Sequence, residues 1–204
     1  MSDSCCQGTI DVSALQARQR RVLIIVLVIN VATFGMMVVA AAISGSSSLL
    51  SGALDNFGDS MTYVLSLLVI GSTNMAKAKV ALFKGFMIFS AALAVAFQIG
   101  WRAFHPGVPV FETMGTAALL NLGANVLCLW LLTPYRDGDV NMSSAWECSR
   151  NDVTEGFVVI GATVAVWAFQ SGWPDLVAAA ALLAVFLRSS FRVVRGAWRE
   201  IHLA

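Results

Sequence analysis

Residues 22–43 read VLIIVLVINVATFGMMVVAAAI, a run with one asparagine, one threonine and no charge. A helix rises ~1.5 Å per residue and the hydrocarbon layer is ~30 Å thick, so this run is one membrane crossing. Arg18, Arg20 and Arg21 precede it, as they would precede a signal peptide. The run is too long for a signal peptide's apolar region, and no small-residue cleavage site follows, so it reads as a permanent helix. Working outward, five more apolar segments fall at 49–72, 80–101, 113–133, 144–169 and 173–191. Six helices at ~20 residues each leave only short tails and loops. No stretch is long enough for a soluble domain, which takes ~50 residues or more.

The composition agrees. Of 204 residues, 58% are hydrophobic and 12% charged, against ~25% charged in a soluble domain. The formal net charge of +1 supplies no excess of cations for a phosphate backbone, so nucleic acid is excluded as a partner. The fold expected is an all-α integral membrane protein with six transmembrane helices. Residues 1–20 form an N-terminal tail, 21–192 the transport domain and 193–204 a short C-terminal tail. Twelve of the 13 basic residues fall on one side of these spans; Arg102 alone falls on the other. The positive-inside rule then puts both termini in the cytoplasm, in the cell (inner) membrane. Cys5 and Cys6 fall on that reducing side, while Cys128 and Cys148 fall in spans.

The acids are out of place. Asp55 and Asp59 lie in the second span, Asp152 and Glu155 in the fifth, and no Lys or Arg lies deep in any span. An ionisable group at a helix centre costs at least ~2.5 kcal/mol and marks a functional site by default. Such acids must hold protons, face water or bind a cation. Asp55 and Asp59 are four apart and share a helix face; so do Cys148 and Asp152, with Glu155 three further on. Two carboxylates from one helix, with a thiolate and a carboxylate from another, are a plausible tetrahedral set for Zn²⁺. The thiolate also suits Cd²⁺, and a mixed S/O set admits Co²⁺, with Fe and Ni as further candidates. Because ligands deprotonate to bind metal, the same groups can exchange metal for protons.

The stretch Ser46-Ser-Ser-Leu-Leu-Ser-Gly-Ala-Leu-Asp55-Asn-Phe-Gly-Asp59 and the stretch Cys148-Ser-Arg-Asn-Asp152 resemble the second- and fifth-helix signatures of the cation diffusion facilitator family. Asn30 in the first span and Gly172-Trp-Pro-Asp175 before the sixth fit the same pattern. The resemblance runs from about Arg20 to the end. It implies a homodimer that exports divalent metal by alternating access, coupled to proton entry, with Asp55, Asp59, Cys148 and Asp152 as the transport site. Two features depart from the family. Many members carry a cytoplasmic metal-binding domain after the sixth helix, and this sequence reads as a short form without it. Cys148 stands where zinc-selective members often have His.

Other residues have plainer readings. Glu155 is a proton site, a partner of the metal's ligands, or a residue facing water; spacing leaves all three open. Asp175 reads first as a cap or first-turn acid of its own helix, with a role in metal release second. Asn30, Gln98, Asn121 and Asn125 read as helix–helix hydrogen-bonding residues, Asn30 having the best claim to the pathway. His105 reads as solvated. A proton-coupled exporter of small organic cations is the alternative function, disfavoured because two four-apart pairs suit a compact metal. An intramembrane aspartyl protease would pair one Asp from each of two helices. Its Tyr-Asp and Gly-x-Gly-Asp patterns are missing, so no enzyme is expected and no cofactor beyond the transported ion.

Overall fold

The computed structural model describes residues 17–68, 74–136 and 140–203. The described residues form six long helices: α1 (Ala17–Ser44), α2 (Ser47–Leu68), α3 (Asn74–Phe104), α4 (Phe111–Leu132), α5 (Val140–Phe169) and α6 (Trp173–Leu203). A 3₁₀ turn over Thr133–Tyr135 follows α4. The shortest helices have 22 residues, about 33 Å at 1.5 Å per residue, which matches the bilayer core. Several expected boundaries move: α1 begins at Ala17, α2 ends at Leu68, and α6 runs on to Leu203 through the expected C-terminal tail. The third helix starts at Asn74 and the fifth at Val140, so both project past the apolar stretch that announced them. Arg150 therefore lies well inside the fifth helix.

Three segments are long and apolar enough to span a membrane on their own: Arg20–Ser44, Phe111–Tyr135 and Cys148–Phe169. Their exposed side chains include Val28, Ile43, Leu119, Phe157 and Val164. A continuous apolar exterior of this kind belongs against lipid. The exposed tryptophans gather towards helix ends, with Trp101, Trp167 and Trp173 towards one end and Trp130 towards the other, as in interfacial aromatic belts. α2 is less apolar because it is the most enclosed helix. Its serines, glycines and acids face other helices, where small and polar side chains give close approach and hydrogen bonds.

Helices α1, α2, α4 and α5 form a four-helix bundle, while α3 and α6 pair with each other and lie against α2. Leu54 of α2 packs with Ala92 and Val95 of α3 and Leu183 of α6. With alternating direction, six helices bring both ends of the described chain to one side, here called the terminal side; the other is the far side.

The far side is tightly tied. Gly45 ends α1 with φ of 71° and donates its N–H to Ala41 O at 2.9 Å, the left-handed cap that glycine adopts without strain. A Cβ at Gly45 would also collide with the Arg102 guanidinium. Val110 N–H donates to Ser44 O at 2.9 Å and joins the start of α4 to the end of α1. Gly172, before α6, lies so close to the Gly107 carbonyl that a side chain there would clash.

Candidate cation site

Two apolar clusters divide the four-helix bundle. Towards the terminal side, Leu23, Val26, Tyr63, Cys128, Leu132 and Ala145 pack together. In the far half, Met37, Leu49, Ala53, Met114, Ala118, Val159 and Val166 do the same. Between them runs a buried polar layer that includes Asn30, Asp59, Asn125 and Asp152. Periodicity puts it there: in each helix, residues one or two turns either side of these positions belong to the clusters.

The carboxyl groups of this layer meet across the α2–α5 contact. Asp55 and Asp152 hydrogen-bond through their side chains. Such a bond needs a proton on one of the two, because ionised carboxylates only accept. Asp59, 5% exposed, lies within electrostatic reach of Asp152, Glu155 and the Cys128 thiol. Glu155 faces Asp55 and Asp59 as well. Among the described residues, the charged groups acting on Asp55, Asp152 and Glu155 are carboxylates. Arg150 is exposed, and its guanidinium lies 5.2 Å from the Trp146 ring centroid.

The thiol behaves differently. Cys148 is buried one turn before Asp152, yet its sulfur is disulfide-bonded. Cys128 is free; Cys5 and Cys6 lie outside the described residues. A disulfide sulfur is not the thiolate that binds metal. Among the described residues, no three His, Cys, Asp or Glu side chains converge closely enough to hold one ion. The structure thus joins Asp55 to Asp152, with Asp59 within electrostatic reach, short of a three-ligand cluster.

Residues 23–201 match the cation efflux transmembrane domain. The chain belongs to the cation efflux family. It is accordingly a multi-pass membrane protein and a cation efflux transporter, of a family that carries divalent cations rather than one that catalyses reactions. A search of curated proteins found no match.

In this cation efflux protein, Asp175 does something the sequence did not announce. It lies in the first turn of α6, but its carboxylate caps α2. It accepts from Ser46 Oγ at 2.6 Å, Ser47 N–H at 2.7 Å and Ser48 N–H at 3.0 Å. Ser46 Oγ in turn accepts the Leu49 N–H at 3.1 Å. The first three amides of α2 are thus satisfied by Asp175 of α6 and by Ser46, the residue just before α2. Ser51 Oγ donates to Ala179 O at 3.1 Å and extends the attachment of α2 to α6. Asp175 is well over two turns from the carboxyl layer and is not part of it.

The asparagines divide. Asn56 Nδ2 donates to Asn121 Oδ1 at 2.9 Å, a helix–helix bond of the expected kind. Asn30 Nδ2 instead donates to Val26 O of its own helix at 2.9 Å. The Oδ1 atoms of Asn30 and Asn125 are buried with no hydrogen-bond partner. The relevant signal was the spacing Asn121, Asn125, Cys128, which marks one polar face of α4. His105 is exposed and stacks on Trp101 with ring centroids 3.8 Å apart, away from the site.

Proposed function

We propose that this protein exports a divalent transition metal, zinc in the first place, in exchange for protons. Cadmium, cobalt, iron and nickel are the further candidate cargoes. The observation that carries the reading is the Asp55–Asp152 hydrogen bond between α2 and α5, with Asp59 and Glu155 acting on the same pair. Carboxyls that share a proton are the groups that release it when a cation arrives, since metal and proton compete for the same oxygens. Reprotonation expels the metal. Asp55, Asp59 and Asp152 are the carboxylate ligands; Cys148 joins them when its sulfur is a free thiolate. Glu155, facing both α2 acids, is placed to hand protons on.

The two apolar clusters, one on each side of the polar layer, support a reading of alternating access. Water and ions reach the polar layer only if one cluster opens, and a transporter that opened both at once would leak. Parting α2 from α5 breaks the carboxyl pair, so proton release and opening are coupled. The reading places both termini in the cytoplasm of a cell-membrane protein, on the strength of the twelve basic residues. It takes the working unit as a homodimer assembled through the spans.

The test is flux in proteoliposomes. With a pH gradient imposed, the wild type moves Zn²⁺ or Cd²⁺ against it, and Asp59→Ala and Asp152→Ala do not. Normal metal flux in both variants sinks the site. Transport of organic cations in competition with protons, unaffected by metal, would favour the alternative cargo.

A further inference from the structure

The two apolar clusters fix the relative height of residues on different helices. On α1, Asn30 lies one turn from Val26 and two turns from Met37. On α4, Asn125 lies one turn from Cys128 and two turns from Ala118. Val26 and Cys128 share the terminal-side cluster, and Met37 and Ala118 share the far one. Asn30 and Asn125 are therefore at one level of two packed helices. The same reckoning sets Asp59, one turn from Tyr63, and Asp152, two turns from both Ala145 and Val159, at that level. Each of the four helices thus contributes one polar side chain to a single stratum, two carboxyls and two amides.

The amides are under-used. Asn30 and Asn125 are each 2% exposed, and their Oδ1 atoms have no donor. The Nδ2 bond of Asn30 to Val26 O fixes which end of that amide is turned away from its own backbone. Leaving a buried acceptor without a donor costs about 1–3 kcal/mol each. Ionised carboxylates of the same stratum cannot donate. A cation satisfies carboxylate and amide oxygens at once.

We propose that Asn30 Oδ1 and Asn125 Oδ1 are neutral oxygen ligands of the transported cation, completing from α1 and α4 a site whose carboxylates come from α2 and α5. The proposal rests on the metal-transport reading. Amide oxygens are hard donors, which favour manganese- and cobalt-type ions relative to soft cadmium. They thus balance the preference of a thiolate and hold the ion without adding negative charge to a buried site.

The experiment is metal binding to the purified protein in detergent, by calorimetry with Co²⁺, Mn²⁺ and Cd²⁺ separately, under reducing conditions. Asn125→Leu and Asn30→Val are expected to weaken Co²⁺ and Mn²⁺ binding about tenfold, one contact worth roughly 1.4 kcal/mol. Cd²⁺ binding is expected to fall by less than about threefold, because soft ions depend less on hard oxygens. Equal weakening for all three metals, or no change, overturns the proposal; the former marks a structural residue and the latter a site filled by water. If Asn125→Leu does not fold, Asn125→Asp keeps the oxygen and adds charge, and is expected to tighten Co²⁺ at least about tenfold; unchanged affinity there is equally fatal. Asp59→Ala is the control. Its normal binding would refute the transport site itself, whereas its loss beside unaltered asparagine variants refutes only this proposal.

Discussion

Replacing Asp175 with alanine removes a carboxylate that is 2% exposed and accepts three hydrogen bonds at 2.6, 2.7 and 3.0 Å. Two of the donors are backbone amides in the first turn of α2, and Ser47 and Ser48 are fully buried. Neither amide has a replacement acceptor within its own helix, because the first turn of any helix has none. Each buried amide left unsatisfied costs about 1–3 kcal/mol. Ser46 still caps the Leu49 amide, and water can enter through the neighbouring far-side crevice lined by Arg102, Gly107 and Gly172, so the lower half of that range applies. The expected loss is about 3 kcal/mol, or roughly 6–12 °C in Tm for a chain of this size. Asp175→Asn keeps one acceptor oxygen and is expected to lose about 1 kcal/mol. Six tryptophans make intrinsic fluorescence a convenient probe of thermal unfolding in detergent. Hydrogen exchange at Ser47 and Ser48 is expected to accelerate in step. A Tm within about 1 °C of wild type in Asp175→Ala would refute the inter-helix cap.

Other outcomes follow from the same contacts. Gly45→Val places a β-branched residue at φ of 71° against the Arg102 guanidinium; it is expected to cost more than about 1 kcal/mol in thermal melts. Asn56→Leu and Asn121→Leu each strand one half of the bond at 2.9 Å, whereas the double variant strands neither, so a double-mutant cycle is expected to show coupling of about 0.6–1.7 kcal/mol. Cys148→His is expected to lower Cd²⁺ flux relative to Zn²⁺ flux under reducing conditions, because an imidazole is a less soft donor than a thiolate; the flux ratio of the variant against the wild type decides it.

The helical membrane fold was legible because lipid imposes a length and a polarity on each crossing, and both can be counted along the chain. The buried acids were legible for the same reason: Asp55, Asp59 and Asp152 are conspicuous where charge is expensive. Spacing of three and four also tells which side chains share a face. None of these signals says which face of one helix meets which face of another.

That decision belongs to the tertiary structure. Packing along α1, α2, α4 and α5 lines up two apolar clusters and leaves between them one buried polar stratum that holds Asn30 and Asn125 as well as Asp59 and Asp152. Packing of α6 against α2 sends Asp175 across to cap a helix 128 residues away in sequence, where a local reading had it serving its own. The physical reason is the same in each case. The cost of burying a polar group is set by the group and can be read from the chain, while the partner that offsets the cost is set by the neighbour, which only the folded bundle supplies.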